Sequence, residues 1–128
     1  MKNGRMTFAS LFSGCGGFDI GFATRGFQSK GAFDWDADAV ENFSANVEGP
    51  ISRVDLTQGI PNEHTLHGID ALIAGPPCQG FSTAGKRQVN DSRNHLLTLT
   101  GTIARRISPK VLVVENVAGA LSGDCLLY

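Results

Sequence analysis

The chain has 128 residues, enough for one domain with a buried core. With 41% apolar and 18% charged residues it has the composition of a soluble globular protein, and no apolar run approaches a membrane span, which excludes a chain built around a membrane-spanning helix. A net charge of −1 gives no overall basic footprint for nucleic acid, yet the charges are segregated: Lys86, Arg87 and Arg93 cluster with Asp91 as the one acid among them, while Asp34, Asp36, Asp38, Glu41 and Glu48 share one stretch.

The three cysteines, Cys15, Cys78 and Cys125, are odd in number and widely spaced, so they form no disulfide framework. There is no CxxC pair, and His64, His67 and His95 show no ligand spacing with the cysteines, so no zinc site is expected. A reducing compartment follows from this usage. Met1 to Met6 is short and polar and opens no signal peptide, so a cytoplasmic location is expected.

In chain order, Thr7 to Phe12 reads as a first strand that runs into the glycine cluster Gly14, Gly16 and Gly17. A helix from about Phe18 to Arg25 follows, with Gly26 suited to its C-terminal cap. Phe27 to Phe33 reads as a second strand, and Asp38 to Asn46 as a helix with Val40, Phe43 and Val47 at helical spacing. A short third strand spans Ile51 to Val54, and Ile69 to Ala74 forms a fourth that Gly75-Pro76-Pro77 stops. Gly80 to Asn94 reads as a long loop, Leu96 to Ile107 as a helix, and Val111 to Val114 as a fifth strand. This alternation implies βαβ units and an α/β, Rossmann-like, doubly wound, mainly parallel sheet in one domain over residues 1–128. The near-continuous apolar character of the fourth and fifth strands suggests burial on both faces. Ligands of such sheets lie beyond the carboxyl ends of the strands, where the unusual residues of this sequence fall.

The turn from Phe12 to Phe18 is glycine-rich, which allows a tight bend and a close approach of backbone to ligand. A dinucleotide is the obvious ligand, but the third glycine of its fingerprint would fall on Asp19, and a carboxylate in the first helical turn opposes a pyrophosphate. A ligand without phosphates fits better. Asp34 stands where a carboxylate commonly accepts from ribose hydroxyls, and Trp35 offers a flat surface for adenine. Asp55 can accept from an exocyclic amine; either aspartate could instead cap a helix, and Trp35 could be core.

Gly75 to Ser82 carries the strongest chemical signal. Two prolines stiffen the backbone before Cys78, glycines flank it, and Lys86, Arg87 and Arg93 favour a thiolate. Glu115 ends the most apolar strand, where a carboxylate can act as an acid or clamp a neighbouring loop.

These segments together resemble the cytosine-5 DNA methyltransferases, in order and spacing, over nearly the whole chain. Phe12 to Gly17 looks like the family's cofactor loop, and Asp34-Trp35 and Asp55-Leu56 like its adenosine contacts. Gly75 to Ser82 resembles its nucleophile loop, and Asp91-Ser92-Arg93 and Glu115-Asn116-Val117 two further motifs. The resemblance implies a methyltransferase fold that binds S-adenosylmethionine through Phe12, Gly14, Gly16, Gly17, Asp34, Trp35, Asp55, Leu56 and Pro76. Phe12 would face the sulfonium, Asp34 hold the ribose, Trp35 pack on adenine and Asp55 contact its amino group. Cys78 would attack C6 of cytosine, Glu115 hold the N3 and N4 edge, and Gln79, Ser82, Arg93 and Asn116 contact the substrate. That substrate would be double-stranded DNA with the target base flipped out, and the Gly80 to Asn94 loop is long enough to close over it. Two positions depart from the family's usual residues: Asp34 replaces Glu, which shortens the reach by one methylene, and Asn94 replaces Gly.

In this family a recognition region and a final cofactor motif come later than Tyr128. The expected function is therefore cytosine C5 methylation by an enzyme that is a fragment or one half of a larger assembly, with a second chain carrying the recognition region. A non-catalytic cofactor-binding remnant or interaction module is the alternative. Within the enzyme class a transfer RNA methyltransferase ranks below the DNA enzyme, because its cysteine loop usually departs from Gly80-Phe81-Ser82.

Overall fold

The computed structural model describes residues 4–77 and 95–116. In chain order it forms β1 (Thr7–Leu11), α1 (Gly17–Thr24), β2 (Gln28–Asp34), α2 (Ala37–Asn46), β3 (Ile51–Arg53), β4 (Ala71–Ala74), α3 (His95–Ile107) and β5 (Val111–Val114). The strands make one sheet in the order β3-β2-β1-β4-β5, and every pairing is parallel. The order reverses between β1 and β4, so the sheet is doubly wound, as the alternation of strands and helices implied. Its eight strands and helices match the expected ones to within two residues at each end. Two short 3-10 turns, Leu56–Gln58 and Glu63–Leu66, were not foreseen and fill the crossover between β3 and β4.

The pleat divides the apolar residues between two layers. Phe8, Ala71 and Ile73 face one side, where Phe18 and Phe22 of α1 cover them. Ala9, Leu11, Leu72 and Ala74 belong to the other, against Ile103 and Ile107 of α3 and against Leu56, Ile60 and Leu66 of the 3-10 segment. Each fully buried large side chain contributes about 1.5–3 kcal/mol. The buried positions Thr100, Ile103 and Ile107 follow helical spacing, which turns Arg105 and Arg106 of the last turn outward. Arg106 grips Glu63 through two bonds of 2.8 and 2.9 Å, tying α3 to the crossover.

The C-terminus of α1 bears out the expected cap. Gly26 sits at φ +86°, its N–H donates to the Ala23 carbonyl, and the Phe27 N–H donates to the Phe22 carbonyl. The Phe22 and Phe27 rings meet at 5.1 Å, the hydrophobic contact that accompanies this motif. At the start of α2 the Asp36 carboxylate accepts from the Ala39 N–H at 2.9 Å.

The expectation for the fifth strand is corrected. β4 is buried throughout, but Val111, Leu112 and Val114 of β5 are 55%, 40% and 38% exposed. Among the described residues β5 pairs only with β4 and ends the sheet, so apolar composition does not translate into burial there. The long loop expected from Gly80 to Asn94 lies outside the described residues, as do Cys78, Gln79, Ser82, Lys86, Arg87, Arg93, Val117 and Cys125.

Gly16 fixes how closely α2 approaches the first turn. It has φ +91°, and an added Cβ would lie 2.6 Å from Val47 Cγ2 and 2.8 Å from Phe43 Cδ2. Gly16→Ala combines a left-handed backbone with a clash against a buried ring, and is expected to lower stability by about 2–4 kcal/mol. Urea denaturation checks this; an unchanged midpoint would show that α2 gives way freely.

Candidate active site

The carboxyl ends of β1, β2 and β4 frame a cleft of about 730 Å³, lined by Phe12, Gly14, Asp34, Trp35, Asp36, Val54, Asp55, Leu56, Gly75, Pro77 and Leu96. It sits at the reversal of strand order and has the size of a small-molecule site.

The first wall is the glycine turn. Phe12 has φ +52° and Gly14 φ +55°, so the chain leaves β1 through two left-handed residues, one of them not glycine. The Ser13 N–H donates to the Phe33 carbonyl at 3.2 Å, and the Gly16 N–H to the Ser13 carbonyl at 3.0 Å. Nothing lies within 4 Å of a Cβ placed on Gly14, which faces the cleft, whereas Gly16 is packed under α2. Of the three glycines expected at the cofactor, only Gly14 lines the cleft.

The second wall follows β2. One Asp34 oxygen accepts from the Gly14 N–H and the other from the Asp36 N–H, both at 2.8 Å. Asp34 therefore joins the glycine turn to the start of α2 while presenting its carboxylate to the cleft. Trp35 lines the cleft as well and is 65% exposed, so it is not core. The third wall follows β3. Asp55 caps the first 3-10 turn, its Oδ1 accepting from the Thr57 N–H at 3.0 Å and Oγ1 at 2.6 Å. Buried Leu56 forms the floor beside it.

The fourth wall leads toward the cysteine loop. The Gly75 N–H donates to the Leu11 carbonyl at 3.3 Å, and the Glu115 N–H to the Ala74 carbonyl at 2.9 Å, so both turns continue the sheet ladder. Pro76 is buried, and its carbonyl accepts from Asn116 Nδ2 at 3.4 Å. Pro77, joined directly to Cys78, lines the cleft. Glu115 Oε2 lies 3.9 Å from where a Cβ on Gly75 would stand, which puts the carboxylate at the same end of the sheet.

Five lining positions had no place among the expected site residues, of which Gly75 and Pro77 belong to the segment read as the nucleophile loop. Asp36 is signalled in hindsight by its place in the Asp-Trp-Asp run. Val54 and Leu96 carry no local signal, because only the tertiary fold brings Leu96, at the start of α3, beside the ends of the first three strands.

Among the described residues the cleft has three acidic lining residues, Asp34, Asp36 and Asp55, and no basic one, a charge pattern that favours a cationic or neutral ligand over a phosphate on these walls. Asp19 does not contribute, contrary to expectation. It is 1% exposed, turned into the sheet and bonded to Ser10 Oγ at 3.0 Å, so the acidic rim replaces it as the obstacle to a pyrophosphate. Among the described residues no group of three or more potential metal ligands occurs. No described helix is long and apolar enough to cross a membrane.

The fold and cleft define a class: a doubly wound α/β domain with a small-molecule-sized cleft at its topological switch point. The chain belongs to the C-5 cytosine-specific DNA methylase family, whose sequence model matches residues 6–125. It is 38% identical to the type II methyltransferase M.DdeI of Desulfomicrobium norvegicum over 120 residues, which is 91% of this chain and 29% of that protein. It is also 38% identical to M.NgoPII of Neisseria gonorrhoeae, covering 91% of this chain and 35% of that one. A solved structure of a prophage-encoded DNA modification methyltransferase from E. coli superposes with a TM-score of 0.75 at 31% identity, over 91% of this chain and 33% of that one. The S. pombe Dnmt2 methyltransferase shares the fold, with a TM-score of 0.72 at 17% identity. The chain thus spans about a third of the length of these relatives.

Burial raises the Asp19 carboxyl above its ordinary value of 3.8, against the smaller opposing effect of the Ser10 hydrogen bond. A folded-state value above the unfolded one means that folding keeps this proton bound where the unfolded chain has released it. The stability from this group is full below the ordinary value and is lost as pH rises through the folded one. Asp19→Asn keeps the shape without the charge, so its advantage in Tm over the wild type should grow as pH rises from 4 to 8. A Tm difference that does not vary with pH would show that Asp19 is not held against ionisation.

Proposed function

We propose that the chain is the cofactor-binding and nucleophile-bearing portion of an enzyme that transfers a methyl group from S-adenosylmethionine to C5 of cytosine in DNA. The observation that carries this reading is the placement of the acidic, aromatic-rimmed cleft at the switch point, with Pro77 on its wall immediately before Cys78. When bound, S-adenosylmethionine supplies an electrophilic methyl group on a positively charged sulfur.

The residues present fit that group. Asp34 already accepts one backbone bond on each oxygen, and each keeps a further lone pair for a ribose hydroxyl. Asp55 uses Oδ1 for its cap and retains Oδ2 for the adenine amine, with Trp35 as the stacking surface and Leu56 as the floor. Phe12, at the mouth of the glycine turn, offers a ring face to the cation. Gly14 lets the backbone come close, Gly16 and Gly17 shape the turn, and buried Pro76 fixes the opposite wall.

Cys78 then acts as the nucleophile. Its thiolate would bond to C6 and move the C5–C6 π pair onto C5, which would then be nucleophilic toward the methyl group the cofactor would supply, with the S–CH3 bond breaking and S-adenosylhomocysteine leaving. Loss of the C5 proton re-forms the double bond and expels the thiolate. Glu115 holds the N3 and N4 edge and stabilises the charge that develops in the ring. Asn116 braces the Pro76 carbonyl just upstream of the nucleophile, and Gln79, Ser82 and Arg93 contact the flipped base and backbone. Double-stranded DNA is the substrate, a second chain or a further region supplies target recognition, and the protein acts in the cytoplasm.

Two experiments test this reading. Calorimetry with S-adenosylhomocysteine and with NAD should give measurable binding for the first and weaker or none for the second; tighter binding of NAD would remove the cofactor assignment. In an assembly completed with a recognition region, DNA carrying 5-fluorocytosine should trap a covalent adduct, because fluorine cannot be eliminated. Cys78→Ser should abolish the adduct, and Glu115→Gln should slow its formation roughly a hundredfold. Mass spectrometry that finds the adduct on Cys15, or an undiminished adduct in Cys78→Ser, would overturn the mechanism.

A further inference from the structure

We propose that Arg53 is a positioning residue for the adenine-stacking face of Trp35; the inference rests on the cofactor reading above. Arg53 ends β3 and pairs in register with Asp34 on β2, so its side chain starts beside the residue that precedes Trp35. Its Nε donates to the Trp35 carbonyl at 3.0 Å, and its Cζ lies 5.6 Å from the indole centroid. The guanidinium thus holds both the backbone and the ring of the same residue. Arg53 does not line the main cleft; it lines a neighbouring hollow, with Val54 and Asp55 common to both. Trp35 lines the cleft, and Arg53, which does not, reaches its ring and its carbonyl from the neighbouring strand end.

This arrangement answers a physical problem. Trp35 is 65% exposed, and a mobile indole must lose its freedom when a base stacks on it. Arg53 removes that freedom beforehand, through a hydrogen bond in fixed planar geometry and an attraction to the ring. It places its charge beside the ring without adding a cation to the acidic cleft wall. Lysine keeps the charge but cannot reproduce the planar donor, so it restores only part of the effect.

Trp35 is the only tryptophan of the chain, so its fluorescence, excited where tyrosine does not absorb, reports this ring alone. In the ligand-free 128-residue chain, Arg53→Ala should raise acrylamide quenching of Trp35 and lower its anisotropy, with Arg53→Lys intermediate. Binding of S-adenosylhomocysteine by calorimetry should weaken roughly three- to tenfold in Arg53→Ala. Tm should stay close to that of the wild type, because Arg53 is exposed at the end of an edge strand. Unchanged quenching in Arg53→Ala, or unchanged or tighter ligand binding, would overturn the positioning role while leaving the cofactor reading intact. Absence of binding and of any Trp35 response in the wild type would overturn the cofactor reading, and this inference with it.

Discussion

The site depends on one carboxylate. Asp34 accepts from the Gly14 N–H with one oxygen and from the Asp36 N–H with the other. Hydrogen bonds to a charged group contribute about 1.5–3 kcal/mol each, more than neutral ones. They secure a glycine turn whose Phe12 is held at φ +52°, a conformation that costs a bulky residue on the order of 1–2 kcal/mol. The same contacts fix where α2 begins, because the Asp36 that donates its N–H to Asp34 also caps that helix. Without the Asp34 carboxylate the strained turn would keep only its Ser13 N–H bond to the Phe33 carbonyl across the sheet among the described bonds.

The cleft also shows how glycine residues close together in sequence serve different physical ends. Gly14 is open to the ligand side, so its lack of a side chain keeps space free. Gly16 is closed on the other side by Phe43 and Val47, so its lack of a side chain lets two helices meet. The sequence pattern treats these positions alike. Only the packing of α2, two elements further along, distinguishes them.

Most of the architecture was legible because each element carries a local signal. The two periodicities marked strands and helices, Gly26 marked a helix end, and the positions after β1, β2 and β4 gathered at one end as a parallel sheet requires. The illegible parts are non-local. The exposure of Val111 and Leu112 depends on the position of β5 in the sheet, which composition does not encode. The direction of Asp19 depends on Ser10 lying beneath it, so a carboxylate that reads as a ligand-facing charge is instead part of the interior. Leu96 reaches the cleft only through the tertiary fold. Arg53 was missed because a cation on an edge strand is ordinarily a solvated side chain, and its partner is named by strand register rather than by spacing.

The two halves of the proposed chemistry rest on different supports. The adenosine side is built from turns after β1, β2 and β3, which are braced by backbone bonds such as Ser13 N–H to Phe33 carbonyl and Val54 N–H to Asp34 carbonyl. Those turns are tied to one another across neighbouring strands, as the Gly14 N–H is to the Asp34 carboxylate. The reacting side is placed by β4 and β5. Glu115 follows an edge strand and is itself exposed, held by its N–H on Ala74 and by the neighbouring Asn116 amide on Pro76. On the proposed reading, cofactor affinity depends on those turns, whereas the alignment of Glu115 with Cys78 depends on β5, which among the described residues pairs with β4 alone. A substitution in β5 should disturb the second without the first, since no residue of β5 lines the cleft and none contributes to the bonds that shape the glycine turn.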